Sequence, residues 1–337
     1  MKTPDYYPTT LVAIDEHLAR VKCGEVRQIG LSPGKRGLYA VAYGEKEPVT
    51  HLANLSAALD GRQPEAFFGT RTRPVMLISN AVHGAEMESI AGALNLISVL
   101  ETGADLKGQA WPGLQEAAAQ VRVVIVPCVN VDGRARVPKD DPTQWSRAEV
   151  EHYRHGLKPE GTPLGEAGCK VPHPRDPAGD GFLAGTFNDA GVNPQHSVFL
   201  PAGIAPEKEA MFALALEETP QLVLDCHSCG AGPFLIVGGT GLPERFHRRQ
   251  AYLDGACRRL LRDRVGIHRP WGANWGGDVT LTLDSVYYHL CGALPFILES
   301  GDGTVEKYRW THAQIVDTYL TVVEALLTIG VREGFQG

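Results

Sequence analysis

The sequence lacks several features, and each absence narrows what the chain can be. No run of about eighteen uninterrupted apolar residues is present to cross a bilayer, so no membrane partner is expected. The opening MKTPDYYPTT has no apolar core of a secretory signal, which points to a cytoplasmic chain. The 32 Lys and Arg are outnumbered by 39 Asp and Glu, and the basic residues are scattered. No run of them is interleaved with aromatics, so nucleic acid is not an expected partner. The seven cysteines are odd in number and irregularly spaced, which excludes a disulfide framework and fits a reducing compartment. There is no internal repeat and no low-complexity linker, and 337 residues are enough for one large core. A single domain over residues 1–337 is therefore expected.

What is present is an alternation of strand and helix patterns. Leu11, Ile14, Leu18 and Val21 recur at helical spacing, and β-like runs at 25–31 and 37–43 flank the turn Ser32-Pro33-Gly34-Lys35, as in a hairpin. A short helix is expected at 49–59. Residues 75–79 and 121–127 are continuous apolar runs of the kind buried in a parallel sheet. Between them Ile90, Leu94, Ile97 and Leu100 mark a helix. From about 130 to 204 the chain is rich in Pro, Gly and charge, and a loop of that length is usually functional. Helices then follow at 206–217, 243–264, 281–290 and 312–329, with strands at 222–226, 234–237 and 294–298. The pattern predicts an α/β fold with a mixed, mostly parallel twisted sheet between helical layers.

Ligands of such sheets bind beyond the carboxyl ends of the strands, and three polar groups share that address. His83-Gly84-Ala85-Glu86 follows one buried strand, His227 follows another, and Glu299 a third. A helix starting near Gly84 or Ala85 would bring His83 and Glu86 to one point. Each piece has a plainer explanation: a first-turn carboxylate complements the helix dipole, and a lone histidine usually packs in a core. Their common placement favours a metal site, because two His and one Glu are an established zinc set that leaves a position for water. A further carboxylate can then take the proton, and Glu299 fits that role.

In the order HxxE, N-x-D-G, D-x-H-S and a late glutamate after an apolar strand, the sequence resembles the zinc carboxypeptidases of the carboxypeptidase A type. The pieces are His83-Gly84-Ala85-Glu86, Asn130-Val131-Asp132-Gly133, Asp225-Cys226-His227-Ser228 and Phe296-Ile297-Leu298-Glu299. Ile29-Gly30-Leu31-Ser32, followed by Gly34-Lys35-Arg36, resembles the opening hairpin of divergent bacterial members. The resemblance runs from about residue 10 to 325. It implies a carboxypeptidase-like α/β/α fold and one Zn2+ per chain held by His83, Glu86 and His227, with Glu299 as general base and proton shuttle. It also implies an arginine that stabilises the oxyanion, a role suited to a fixed cation. Arg134, Arg136 and Arg147 are the candidates. Arg147 lies nearest the expected spacing, and each reads equally well as a solvated loop residue.

The pattern departs from the family in two places. Where classical members carry a GVDLNRN-like clamp for the substrate carboxylate, residues 191–199 read GVNPQHSVF, without arginine. Pro, Gln or His cannot copy bidentate recognition by Arg, which leaves open whether a free C-terminus is required. Asn193 and Arg136 remain candidate substrate contacts. The family's mobile-loop tyrosine has no clear counterpart, and Trp275 in the stretch 271–277 is the candidate pocket wall. Cys226-His227-Ser228-Cys229 is also a C-x-x-C, but Gly230, Gly232 and Pro233 argue against the helix a redox pair would open. Gly238-Gly239-Thr240-Gly241 lacks the lysine of a phosphate loop and reads as a turn.

The expected function is zinc-dependent hydrolysis of a peptide or amide bond. Deacylation of N-acyl amino acids or modified peptides is the alternative. A metal- or peptide-binding protein without hydrolysis is a reading of another class, disfavoured by Glu299, which has no evident purpose without a proton to move.

Overall fold

The apolar runs become the middle of a seven-stranded sheet. The structure is a computed structural model, and it describes residues 2–48, 53–63, 72–173, 181–198, 200, 203–236, 241–267, 283–304 and 309–336. The strands are β1 (Glu25–Leu31), β2 (Gly37–Tyr43), β3 (Val75–Asn80), β4 (Arg122–Val126), β5 (Leu222–Cys229), β6 (Phe234–Ile236) and β7 (Leu294–Gly301). They are ordered β1-β2-β4-β3-β5-β7-β6. The four central strands β4, β3, β5 and β7 are parallel, while β1, β2 and β6 pair antiparallel at the edges. The described helices are α1 (Leu11–Leu18), α2 (Leu55–Asp60), α3 (Glu88–Thr102), α4 (Pro112–Ala118), α5 (Val131–Arg136), α6 (Arg147–Val150), α7 (Gly165–Gly168), α8 (Pro206–Glu218), α9 (Glu244–Val265), α10 (Leu283–Cys291) and α11 (His312–Glu333).

Alternate residues of the central strands serve opposite layers. Met76, Ile78, Leu222 and Leu224 pack with α1, α3, α4, α9 and α11 on one face. Leu77, Val124 and Val223 pack with Met211, Leu214 and Ala215 of α8 and with Tyr287 and Cys291 of α10 on the other. Both faces are covered, so the central strands read as continuous apolar runs. By length and composition α11 could cross a bilayer, but 72% of its most apolar window is buried against the core.

Several boundaries move. β5 and β7 run three residues past the expected ends, so His227 and Glu299 lie within the strands, where they are register partners. α3 begins at Glu88, and residues 83–86 form a turn closed by the Glu86 N–H donating to the His83 carbonyl at 2.9 Å. Two contacts delay the helix: the Gly84 N–H donates to the Gly185 carbonyl at 2.8 Å, and the Ala81 N–H donates to Ser89 Oγ at 3.0 Å. α4 was not expected, and neither were the short elements of the 130–204 region. That region holds α5, α6, α7, 3-10 turns at Pro142–Gln144 and Pro194–His196, and a π-helical turn at Glu151–His155. The expected turn at 238–241 and loop at 271–277, with Trp275, fall mainly or wholly outside the described residues.

Candidate metal centre

Three close-packed glycines bring the HxxE turn to the end of the sheet. A Cβ on Gly84 would come within 2.1 Å of the Arg134 backbone nitrogen, one on Gly133 within 2.2 Å of the Gly185 carbonyl, and one on Gly185 within 2.6 Å of Ala85 Cβ. The N-x-D-G motif fixes the same junction. Asn130 caps α5 by accepting from the Gly133 N–H at 2.8 Å, and its amide donates to the Gly185 and Thr186 carbonyls. Asp132 accepts from Ser32 Oγ and Arg36 Nη1 with one oxygen, and from the Gly34 and Asp189 N–H groups with the other. This motif therefore ties the first hairpin and the 181–198 segment to the end of β4.

His83, Glu86 and His227 present ligand atoms that all lie within 4.8 Å of one another. Nδ1 of His83 is 2.9 Å from Glu86 Oε1, and Nδ1 of His227 is 2.9 Å from Glu86 Oε2. On the far side of the His227 ring, Nε2 is 3.2 Å from Asp225 Oδ2, while Asp225 Oδ1 accepts from Ser79 Oγ at 2.7 Å. A carboxylate on Nε2 keeps that nitrogen a donor, so Nδ1, on the Glu86 side of the ring, is the nitrogen that would offer a lone pair to a metal. The Ser228 N–H also donates to Glu86 Oε2, and Ser228 Oγ donates to Glu88 Oε2 at 2.7 Å.

The electrostatics call for positive charge at the centre. Burial alone would raise the Glu86 carboxyl, but His83 and His227 hold it well below the usual range. Burial alone would lower the His227 imidazole, but Asp225 and Glu86 hold it well above. Two imidazole nitrogens and a carboxylate oxygen, backed by a second carboxylate, are a donor set that fits zinc with a coordination position open.

Glu299 stands beside this group. It is the register partner of His227 on β7, and its Oε2 is buried without a hydrogen-bond partner among the described residues. Burial, together with the Glu86 charge, raises its carboxyl to about 7 against the pull of His227 and Arg154.

The three arginines expected near the centre are placed elsewhere or otherwise engaged. Arg134 is buried, and its guanidinium donates to the Thr9 and Val137 carbonyls and to Asp140. Arg136 donates to the Ala184 and Phe187 carbonyls and to Asp189. Arg147 is exposed at the first position of α6. Asn193 is also spent within the fold: its oxygen accepts from the Gln195 N–H and its amide donates to the Cys169 carbonyl.

The buried cation that does act on the centre is Arg154, on the π-helical turn. Its Nη1 donates to Asp302 Oδ2 at 2.9 Å, while Nε and Nη2 are buried without partners among the described residues. Its charge is felt at Glu86, Glu88 and Glu299. The turn itself was a faint signal, since π-helical turns concentrate at functional sites but have no sequence signature as strong as strand periodicity. Glu88, raised to about 8 by burial, completes the acidic group around Arg154.

Residues 19–165 match the family model for zinc carboxypeptidase, a segment that includes His83, Glu86 and Arg154 but ends before His227 and Glu299. No curated protein matches the chain. A metallo-carboxypeptidase from Burkholderia cenocepacia is similar over 95% of this chain and 68% of its own, with 14% identity and a TM-score of 0.59. A metallo-carboxypeptidase from Pseudomonas aeruginosa is similar over 96% and 70%, with 16% identity and a TM-score of 0.56. Bovine thrombin-activatable fibrinolysis inhibitor is similar over 97% and 98%, with 13% identity and a TM-score of 0.59. At these identities the likeness is one of fold.

Proposed function

We propose that this chain is a zinc metallocarboxypeptidase-like hydrolase, and that it cleaves a peptide or amide bond with His83, Glu86 and His227 as zinc ligands and Glu299 as general base. The observation that carries the reading is the pairing of His227 with Glu299 across β5 and β7, with Glu299 Oε2 enclosed and unpartnered among the described residues. When bound, zinc supplies Lewis acidity that polarises the scissile carbonyl and makes water nucleophilic near neutral pH. Glu299 accepts the proton of the attacking water at a carboxyl oxygen and returns it to the leaving nitrogen, and a carboxyl near 7 is matched to both transfers. Arg154 takes the oxyanion role in place of the three earlier candidates. A guanidinium already fixed by Asp302, with two nitrogens unspent among the described residues, meets developing negative charge without reorganising.

The substrate class is read from the turn Asn193-Pro194-Gln195-His196. No arginine stands there, and the His196 imidazole is pushed down to about 3 by burial and by the charges of His83, Lys170, Lys208 and His227. A neutral imidazole cannot grip a carboxylate as a guanidinium does. This supports the second reading, deacylation of acylated amino acids or cleavage of modified peptides, beside cleavage of ordinary peptides.

Elemental analysis of the wild type and His227→Ala, with hydrolysis of matched free-carboxylate and C-terminally amidated peptides and N-acyl amino acids, tests both. One zinc per chain that disappears with His227 is the expected result, with amidated or acylated compounds cut at least as fast as free acids. A zinc-free wild type overturns the assignment of the centre. Strict dependence on a free carboxylate overturns the second reading alone.

A further inference from the structure

The π-helical turn that carries Arg154 has last carbonyls without helical partners, as any helix end does. A second strip of chain supplies them with donors. Leu157 and Phe182 exchange N–H to carbonyl bonds at 2.9 Å, the Gly185 N–H donates to the Tyr153 carbonyl at 2.9 Å, and the Thr186 N–H donates to the Arg154 carbonyl at 3.3 Å. Thr186 Oγ1 donates to the same carbonyl, so both lone pairs of that oxygen are taken. Thr186 is buried, and water does not compete for its hydroxyl. The carbonyls of the same strip bind elsewhere. That of Gly185 accepts from the Gly84 N–H at 2.8 Å, in the turn of His83 and Glu86, and the Asn130 amide donates to the carbonyls of both Gly185 and Thr186. Gly185 admits no side chain, because a Cβ there would lie 2.6 Å from Ala85 Cβ. Gly185 thus abuts the turn of His83 and Glu86, while Thr186, one Cα step of about 3.8 Å further on, holds the turn of Arg154.

We propose that Thr186 is a positioning residue for the oxyanion contact: its hydroxyl sets where the Arg154 backbone stands relative to the turn of His83 and Glu86, and so where the guanidinium meets developing charge. This rests on the reading of Arg154 as that contact. Asp302 holds one nitrogen of the guanidinium from a different segment, just after β7, and a long side chain held only at its tip can shift at its base. Thr186 fixes the base. An N–H bond to the carbonyl is available to any residue except proline, so the hydroxyl is what threonine adds at this position. A misplacement of about 1 Å at a reacting centre can cost about 10²-fold in rate.

The test is kcat and KM for whichever of the free-acid peptides, amidated peptides and N-acyl amino acids the wild type cleaves fastest. Zinc affinity by chelator competition and the far-UV CD spectrum are recorded on the same preparations. Thr186→Val keeps the shape and the N–H bond and removes the hydroxyl. It is expected to lower kcat by about 10–10²-fold, with KM and zinc affinity near wild type. Thr186→Ser keeps the hydroxyl and is expected to stay close to the wild-type kcat. In Arg154→Lys, where no fork remains to be placed, Thr186→Val is expected to cost little further. Wild-type kcat in a folded Thr186→Val overturns the proposal, as does an undiminished loss in the Arg154→Lys background. A fall of zinc affinity in step with kcat also overturns it, because Thr186 would then act through the turn of His83 and Glu86. Should Thr186→Val not fold, Thr186→Ala against Thr186→Ser decides between the same outcomes. Failure of the underlying reading is distinguishable, because Arg154→Lys alone would then keep the wild-type kcat.

Discussion

Glu299→Gln replaces a carboxylate with an amide of the same shape that cannot take a proton. In the proposed centre Glu299 stands beside the ligands and is not one of them, so the variant is expected to keep one zinc per chain and to lose about 10²–10⁴ in kcat. Loss of zinc in step with activity would make Glu299 a ligand instead. A general base works when deprotonated, so kcat/KM rises with pH through its pKa. The carboxyl stands at about 7, and zinc's charge pulls it lower, so the acidic limb should inflect below pH 7 and vanish in Glu299→Gln. Arg154→Lys keeps a charge but loses the fork, and a drop of about 10²–10³ in kcat with little change in KM is expected of an oxyanion contact. A change confined to KM would make it a ground-state contact. The two residues differ in how they could be read. Glu299 follows an apolar run that fixes a strand, and position along a strand is legible. Arg154 sits among loop cations that look alike in sequence, and what separates it from Arg134 and Arg136 is its two guanidinium nitrogens without partners among the described residues, where the other two are spent on carbonyls, Asp140 and Asp189.

Elements were legible where one period ran unbroken. β3, β4 and α11 were read from continuous apolar runs or repeated helical spacing. Their ends depended on contacts from remote parts of the chain: α3 starts late because Gly84 is held against Gly185 and the backbone at Arg134, and nothing local encodes that approach. The first turn of α8 shows another conflict of scales. A carboxylate there suits the helix dipole, yet Glu207 is fully buried, with one oxygen on Asn188 Nδ2 and the other unpartnered among the described residues. Burial wins and raises its carboxyl to about 7. A carboxyl raised on folding contributes stability below its unfolded pKa, and that contribution is lost as pH rises through 7. Glu207→Gln should therefore match the wild type near pH 5 and exceed it by roughly 1–3 kcal/mol at pH 8 in urea unfolding. An unchanged difference between the two pH values would mean that Glu207 is not the group responsible.

At the scale of the molecule, the position of the centre follows from the strand order. From β3 the chain goes to β4 on one side, by way of α3 and α4 on one face of the sheet. It then returns past β3 to β5, by way of α8 on the other face. The crevice of such a sheet opens where the direction reverses, between β3 and β5. His83 and Glu86 follow β3, and His227 lies near the end of β5, so the ligands straddle that crevice. This explains why strand ends alone located the candidate centre in the sequence, while Arg154, which comes from the long loop region, was not legible. It also predicts what zinc does for the fold. The ligands of the proposed centre join segments some 140 residues apart in sequence, so a bound cation would tie the turn after β3 to β5. A ligand present at 1,000 times its Kd stabilises by about 4 kcal/mol, or roughly 5–10 °C in Tm for a chain of this size. Stripping the metal with a chelator should lower Tm by about that amount, with full recovery on adding Zn2+ and no recovery in His227→Ala. A Tm indifferent to chelation in a protein shown to hold zinc would place that zinc away from these three residues.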